Sequence, residues 1–86
     1  MLKKLNEFNI GETGQITTVE GEGKIRRRLF DMGVTPGAEL TLRKRAPLGD
    51  PLEITIRGYE LTLRKSEANL VVCKMKGEDA EWKSLL

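Results

Sequence analysis

Side chains that can hold a metal, attack a carbon or carry a proton are scarce in this 86-residue chain, which has no histidine and one cysteine, Cys73. A structural zinc site takes about four nitrogen or sulfur ligands, and ferrous iron usually takes histidine or clustered carboxylates. Glu20, Glu22, Glu60 and Glu67 show no ligand spacing. Cys73 closes the apolar run Leu70-Val71-Val72-Cys73 and reads as a small core residue, because a reactive thiolate wants an exposed, electropositive setting. General acid–base work would fall to carboxylates or lysines, in a domain too small to bury them in pairs. Gly21-Glu22-Gly23-Lys24 has the look of a phosphate loop, but that spacing needs glycine where Thr18 stands and serine or threonine where Ile25 stands. A dinucleotide fold fails as well, with Arg26 in the place of its third glycine. The chain therefore reads as neither an enzyme nor the owner of a metal or cofactor site.

Charge is what remains. Arg26-Arg27-Arg28 and Arg43-Lys44-Arg45 are two basic clusters, with Arg57, Arg64 and Lys65 beyond them. They suit a polyanion or an acidic protein face, and equally a plain solvated surface. Single-strand binders add aromatic stacking platforms. The aromatics Phe8, Phe30, Tyr59 and Trp82 are not interleaved with the arginines. Lys+Arg 15 against Asp+Glu 13 gives a formal charge of only +2, which does not call for nucleic acid. Arg27 can also pair with Asp31 one turn on. No nucleic acid is expected, and a free-standing nucleic-acid-binding barrel is the alternative to a protein-binding one.

The elements that must position these residues centre on Gly23 to Pro51. Ile25, Leu29 and Met32 recur at i, i+4, i+7, which predicts a short helix with one apolar face. Gly33 suits the left-handed residue past its end, and Val34 packs back on the last turn. Thr35-Pro36-Gly37-Ala38 fits a type II turn. Leu40 and Leu42 alternate with Thr41 and Arg43 as a strand, which Ala46-Pro47-Leu48-Gly49-Asp50-Pro51 ends.

Upstream, Leu2, Leu5 and Phe8 are helical or extended, Gly11-Glu12-Thr13-Gly14 is a turn, and Gln15–Val19 is a strand with Ile16 and Thr18 inward. Downstream, Leu52 to Arg64 predicts a hairpin with Gly58-Tyr59 as a type II′ loop. That register opposes Arg57 to Glu60, Thr55 to Thr62 and Glu53 to Arg64, and sets Ile56 against Leu61 and Ile54 against Leu63. The rival loop, Arg57-Gly58, loses both charge pairs. Lys65 to Asn69 predicts one tight turn capped by Ser66, with Asn69 left-handed at its exit. Leu70 to Met75 is a last strand.

Many short strands with local connections in a small chain favour a closed β-barrel with one short helix after the first main strand. A domain of this size buries only roughly 60% of its unfolded surface. Residues 1–76 are expected to form it, with 77–86 as a tail. In that tail Trp82, Leu85 and Leu86 share a helical face, for docking on the barrel or on a second copy, unless the tail frays. No signal peptide and no span long enough for a bilayer is read, so the expected location is cytoplasmic.

The run Arg28-Leu29-Phe30-Asp31-Met32-Gly33-Val34-Thr35-Pro36-Gly37, followed by Ala46-Pro47-Leu48-Gly49-Asp50-Pro51, Ile56-Arg57-Gly58 and Leu63-Arg64-Lys65, resembles the FeoA family of small bacterial proteins. The likeness runs from about Gly11 to Lys74. The same module also looks like the C-terminal domain of DtxR-type metal-dependent repressors, although no DNA-binding domain precedes it here. The resemblance implies an SH3-like barrel that works by protein interaction in ferrous iron transport. The implied partner is FeoB, the membrane transporter for ferrous iron with a cytosolic GTP-binding part. Transition-metal binding comes along only as a term attached to the family. The partner-binding residues expected are Arg26, Arg27, Arg43, Arg45, Leu48 and Asp50. Leu48 is either an exposed contact or an anchor buried in its own barrel.

Overall fold

A computed structural model of the chain describes residues 1–76. Its elements are β1 (Leu2–Lys4), a 3₁₀ turn (Leu5–Glu7), β2 (Thr13–Val19), α1 (Gly23–Asp31), β3 (Glu39–Arg45), β4 (Leu52–Ile56), β5 (Tyr59–Leu63), α2 (Lys65–Ala68) and β6 (Val71–Met75). The strands form one six-stranded sheet in the order β1-β6-β2-β3-β4-β5, antiparallel throughout. The expected helix over the Trp82, Leu85 and Leu86 tail lies outside the described residues.

Alternation writes the core. Leu40 and Leu42 of β3, with Leu52, Ile54 and Ile56 of β4, are buried, while Glu39, Arg43 and Glu53 face water. The sheet's end strands, β1 and β5, are not paired with each other. Helical pieces bridge that seam: the 3₁₀ turn that follows β1 packs on α2, which follows β5. Leu5 and Phe8, undecided between helical and extended in the sequence, are both buried there.

Helix α1 ends as its residues dictate. Val34 N–H donates to Leu29 O at 2.9 Å and Gly33 N–H to Phe30 O at 2.9 Å, a Schellman pair, with Gly33 at φ +90°. Leu29 is buried, whereas Ile25, expected on the same inward face, is 36% exposed. Ala38 N–H then donates to Thr35 O at 3.1 Å, closing the turn over Pro36-Gly37. Arg57 and Tyr59 tie the C-terminal end of α1 to the β4–β5 hairpin. The Tyr59 hydroxyl donates to Met32 O, and Arg57 donates through Nε to Gly33 O at 3.2 Å and through Nη2 to Thr35 Oγ1 at 2.8 Å.

Five local expectations are corrected. The hairpin takes the rival register: Ile56 opposes Tyr59, Ile54 opposes Leu61 and Leu52 opposes Leu63, with Glu53 against Thr62 and Thr55 against Glu60. Its loop is Arg57-Gly58, both at positive φ (49° and 82°), as a type I′ turn requires. This register lines up three apolar pairs on one face instead of two, with Leu52 and Leu63 both buried, and it frees the Arg57 guanidinium to clasp the α1–β3 turn. The apolar pairs and the clasp outweigh two exposed charge pairs, which are worth little in water. In β2, a bulge between Ile16 and Thr18 shifts the phase, so Val19 is buried and Thr18 faces solvent. Thr13 and Gly14 belong to β2 and not to a turn. A Cβ on Gly14 would lie 3.0 Å from both Phe8 Cζ and Cys73 Cβ, so close packing explains the glycine. At α2 the capping group is Glu67, whose carboxylate accepts Arg64 N–H at 2.9 Å, and Asn69 stays right-handed at φ −64°. Arg64 has no acceptor atom to offer in return, so only the glutamate half of a capping box forms.

Candidate functional surface

Leu48 stands at the tip of the β3–β4 loop and is 95% exposed. Pro47 and Leu48 occupy the centre of a turn closed by Gly49 N–H to Ala46 O at 2.7 Å. Ala46 N–H donates to Pro51 O at 3.0 Å across the base of the loop. The loop is thus a braced support for one apolar side chain, and Leu48 does not anchor the barrel from within.

The basic residues divide by what holds them. A bulge in β3 between Leu42 and Lys44 leaves Arg43 and Lys44 both exposed. Arg45, next in line, turns back and donates to Phe8 O at 2.7 Å and Asn6 O at 3.4 Å. It thereby satisfies carbonyls of the N-terminal segment that have no strand partner. On α1, Arg26 donates to Val19 O at 3.2 Å and lies 4.4 Å over the Phe30 ring. Arg27 is exposed. Arg28 reaches α2, with Nη1 3.7 Å from Glu67 Oε2. Asp50 Oδ1 accepts Lys65 N–H at 2.9 Å, at the N-terminal end of α2.

α2 therefore joins two regions that are far apart in sequence. The Leu48 loop touches it through Asp50, and α1 touches it through Arg28. Arg64 and Lys65 are exposed at the same place and add to the basic surface. The sequence flags them as basic residues without a location. Only the Asp50 contact, fifteen positions away, puts Lys65 beside the loop.

Among the described residues no group of three or more histidine, cysteine, aspartate or glutamate side chains is placed to hold a metal ion. Cys73 is buried, and burial pushes its thiol up to about 12, which keeps it protonated at neutral pH. Among the described residues no helix is long and apolar enough to cross a membrane.

The FeoA domain family profile matches residues 3–75. The chain belongs to the FeoA family. A Porphyromonas gingivalis protein, a fusion of Fe(2+) transport protein A with the Fe(2+) transporter FeoB, is 32% identical over 77 residues. That match takes in 90% of this chain and spans 9% of the fusion's length. The solution structure of a FeoA-like protein from Clostridium acetobutylicum has TM-score 0.78 and 39% identity, covering 84% of each chain. FeoA from Stenotrophomonas maltophilia, solved with zinc and described as an SH3-domain protein, has TM-score 0.71 and 28% identity over 86% of this chain and 89% of that one. A manganese-dependent transcriptional repressor shares the fold at TM-score 0.80 over 87% of this chain and 42% of its own, with 14% identity. The fold is accordingly the mainly β, SH3-like one, and membership of the FeoA family ties the chain to ferrous iron transport.

Proposed function

We propose that this FeoA protein is a cytoplasmic adaptor, without catalysis of its own, that docks on the cytosolic part of a FeoB-type transporter and modulates ferrous iron uptake. The Porphyromonas gingivalis fusion carries this reading. Covalent linkage raises the effective concentration of one module at the other, which serves a pair that meets and is wasted on one that does not. A docking surface on this domain would serve such a meeting whether or not the two modules share one chain.

That surface takes in the Ala46–Pro51 loop with Leu48 at its tip and the exposed cations Arg27 and Arg43. Arg26, Arg45 and Asp50 complete it, each also bonded within the chain, to Val19 O, Phe8 O and Lys65 N–H. A lone exposed leucine on a braced turn is suited to fill an apolar pocket, and surrounding arginines suit acidic rims and speed encounter. Leu48→Glu and Arg27→Glu, each tested for co-purification with the FeoB cytosolic part, are expected to lose most of the partner. Recovery of the partner at wild-type levels by both variants removes this surface from consideration.

A further inference from the structure

The two hydrogen bonds within the Ala46–Pro51 loop set its shape but not its attitude on the barrel. The paired ends of β3 and β4, Arg45 opposite Leu52, hold its base, and beyond them one contact from outside the loop braces it: Asp50 Oδ1 to Lys65 N–H at 2.9 Å. Lys65 opens α2, a helix of four residues, too short to hold itself together. α2 is secured from its other side by Glu67, 4% exposed, which accepts Arg64 N–H at 2.9 Å and faces Arg28 of α1 at 3.7 Å. Asp50 therefore grips an element that is itself pinned to the helix.

We infer that α2 is a strut that presets the Leu48 loop for docking, and that Asp50 is a positioning residue acting through Lys65 and not a contact with the partner. The inference rests on the docking reading above and deepens it. A leucine offered on a loosely attached loop would lose part of its binding free energy to ordering that loop, whereas a preset loop does not. The partner chemistry that fits is an apolar socket with carboxylates at its rim. Arg64 and Lys65 stand exposed at the α2 end of the Asp50 contact.

Asparagine separates the two roles of Asp50. Asp50→Asn keeps an oxygen that can accept Lys65 N–H but carries no charge, whereas Asp50→Ala keeps neither. On the isolated chain, Asp50→Ala is expected to speed amide hydrogen exchange at Lys65, whose N–H loses its acceptor, by about tenfold or more, while Asp50→Asn leaves it near wild type. In titration calorimetry against the cytosolic part of a FeoB-type transporter, Asp50→Ala is expected to weaken binding about two- to tenfold, and Asp50→Asn less than about twofold. In a Leu48→Ala background the Asp50→Ala loss should vanish, since a preset loop without its leucine has nothing to present. Circular dichroism melts check that the variants are folded. Unchanged Lys65 exchange in Asp50→Ala overturns the strut whatever the partner does. Equal losses of affinity in Asp50→Asn and Asp50→Ala overturn the positioning role and make Asp50 a charged contact. If Leu48→Glu binds as wild type, the docking reading falls, and the exchange measurement still judges the strut.

Discussion

Gly33 and Tyr59 are the residues on which the joint between helix and hairpin turns. Gly33 sits at φ +90°, where an L side chain costs about 1–2 kcal/mol. Its absent Cβ also leaves the space that the Tyr59 hydroxyl occupies on its way to Met32 O. Gly33→Ala should therefore lower stability in urea by more than its φ alone accounts for. Tyr59→Phe should cost about 0.5–1.5 kcal/mol, the ordinary worth of a hydrogen bond. The double variant should be more stable than the sum of the two losses implies, because removing the hydroxyl removes the clash. Strict additivity would show that the close approach is not felt. Of this joint, the need for a left-handed residue at Gly33 is readable in the run Leu29 to Pro36. The tyrosine is not, because it arrives from a hairpin 26 positions later in a register that local pairing rules did not favour.

At the level of elements, α2 shows how much a short helix depends on its caps. Glu67 closes it from within and Asp50 from outside, each carboxylate taking one of the backbone N–H groups that a helix start leaves unpaired. Glu67→Ala should destabilise the protein by about 1–2 kcal/mol, since it removes the cap and strips Arg28 of its pair. The check is an equilibrium urea titration. A loss within about 0.3 kcal/mol would mean that α2 holds by packing alone. From sequence the turn is legible but its cap is not: Ser66 is the stronger N-cap type, yet the helix begins two residues earlier than that choice requires, at Lys65. The partition of the arginines follows the same pattern. Arg43 and Arg45 look alike in the chain, and the bulge in β3 sends one to solvent and the other to Phe8 O.

For the molecule as a whole, the N-terminal segment is fastened to the barrel by an acid-sensitive contact. Glu12 accepts Asn9 N–H at 2.7 Å and pairs with Lys3 at 3.1 Å. The Asn9 hydrogen bond first, and Lys3 second, hold its carboxyl below the ordinary value of 4.5. A carboxylate with a lowered folded-state pKa contributes stability that is complete above its ordinary value and is lost as pH falls through the lowered one. Urea midpoints of wild type and Glu12→Gln should thus differ at pH 7, with wild type higher, and converge as acidification protonates Glu12 in the folded protein. A gap that stays constant across that range would remove Glu12 from the acid response.

By itself, the sequence settled the features that depend on residue type and near neighbours: a mainly β domain with a short helix after its first main strand, the Gly33 stop and the Pro36-Gly37 turn. Local sterics and the chemical inventory need no partner from elsewhere in the chain. The tertiary structure alone decided the hairpin register, because shifting partners by two keeps every residue on its face and leaves alternation silent. It also decided the phase of β2 beyond its bulge, and which cations stay free. Those outcomes rest on contacts such as Arg45 to Phe8 O, 37 residues apart, where only folding brings donor and acceptor within reach.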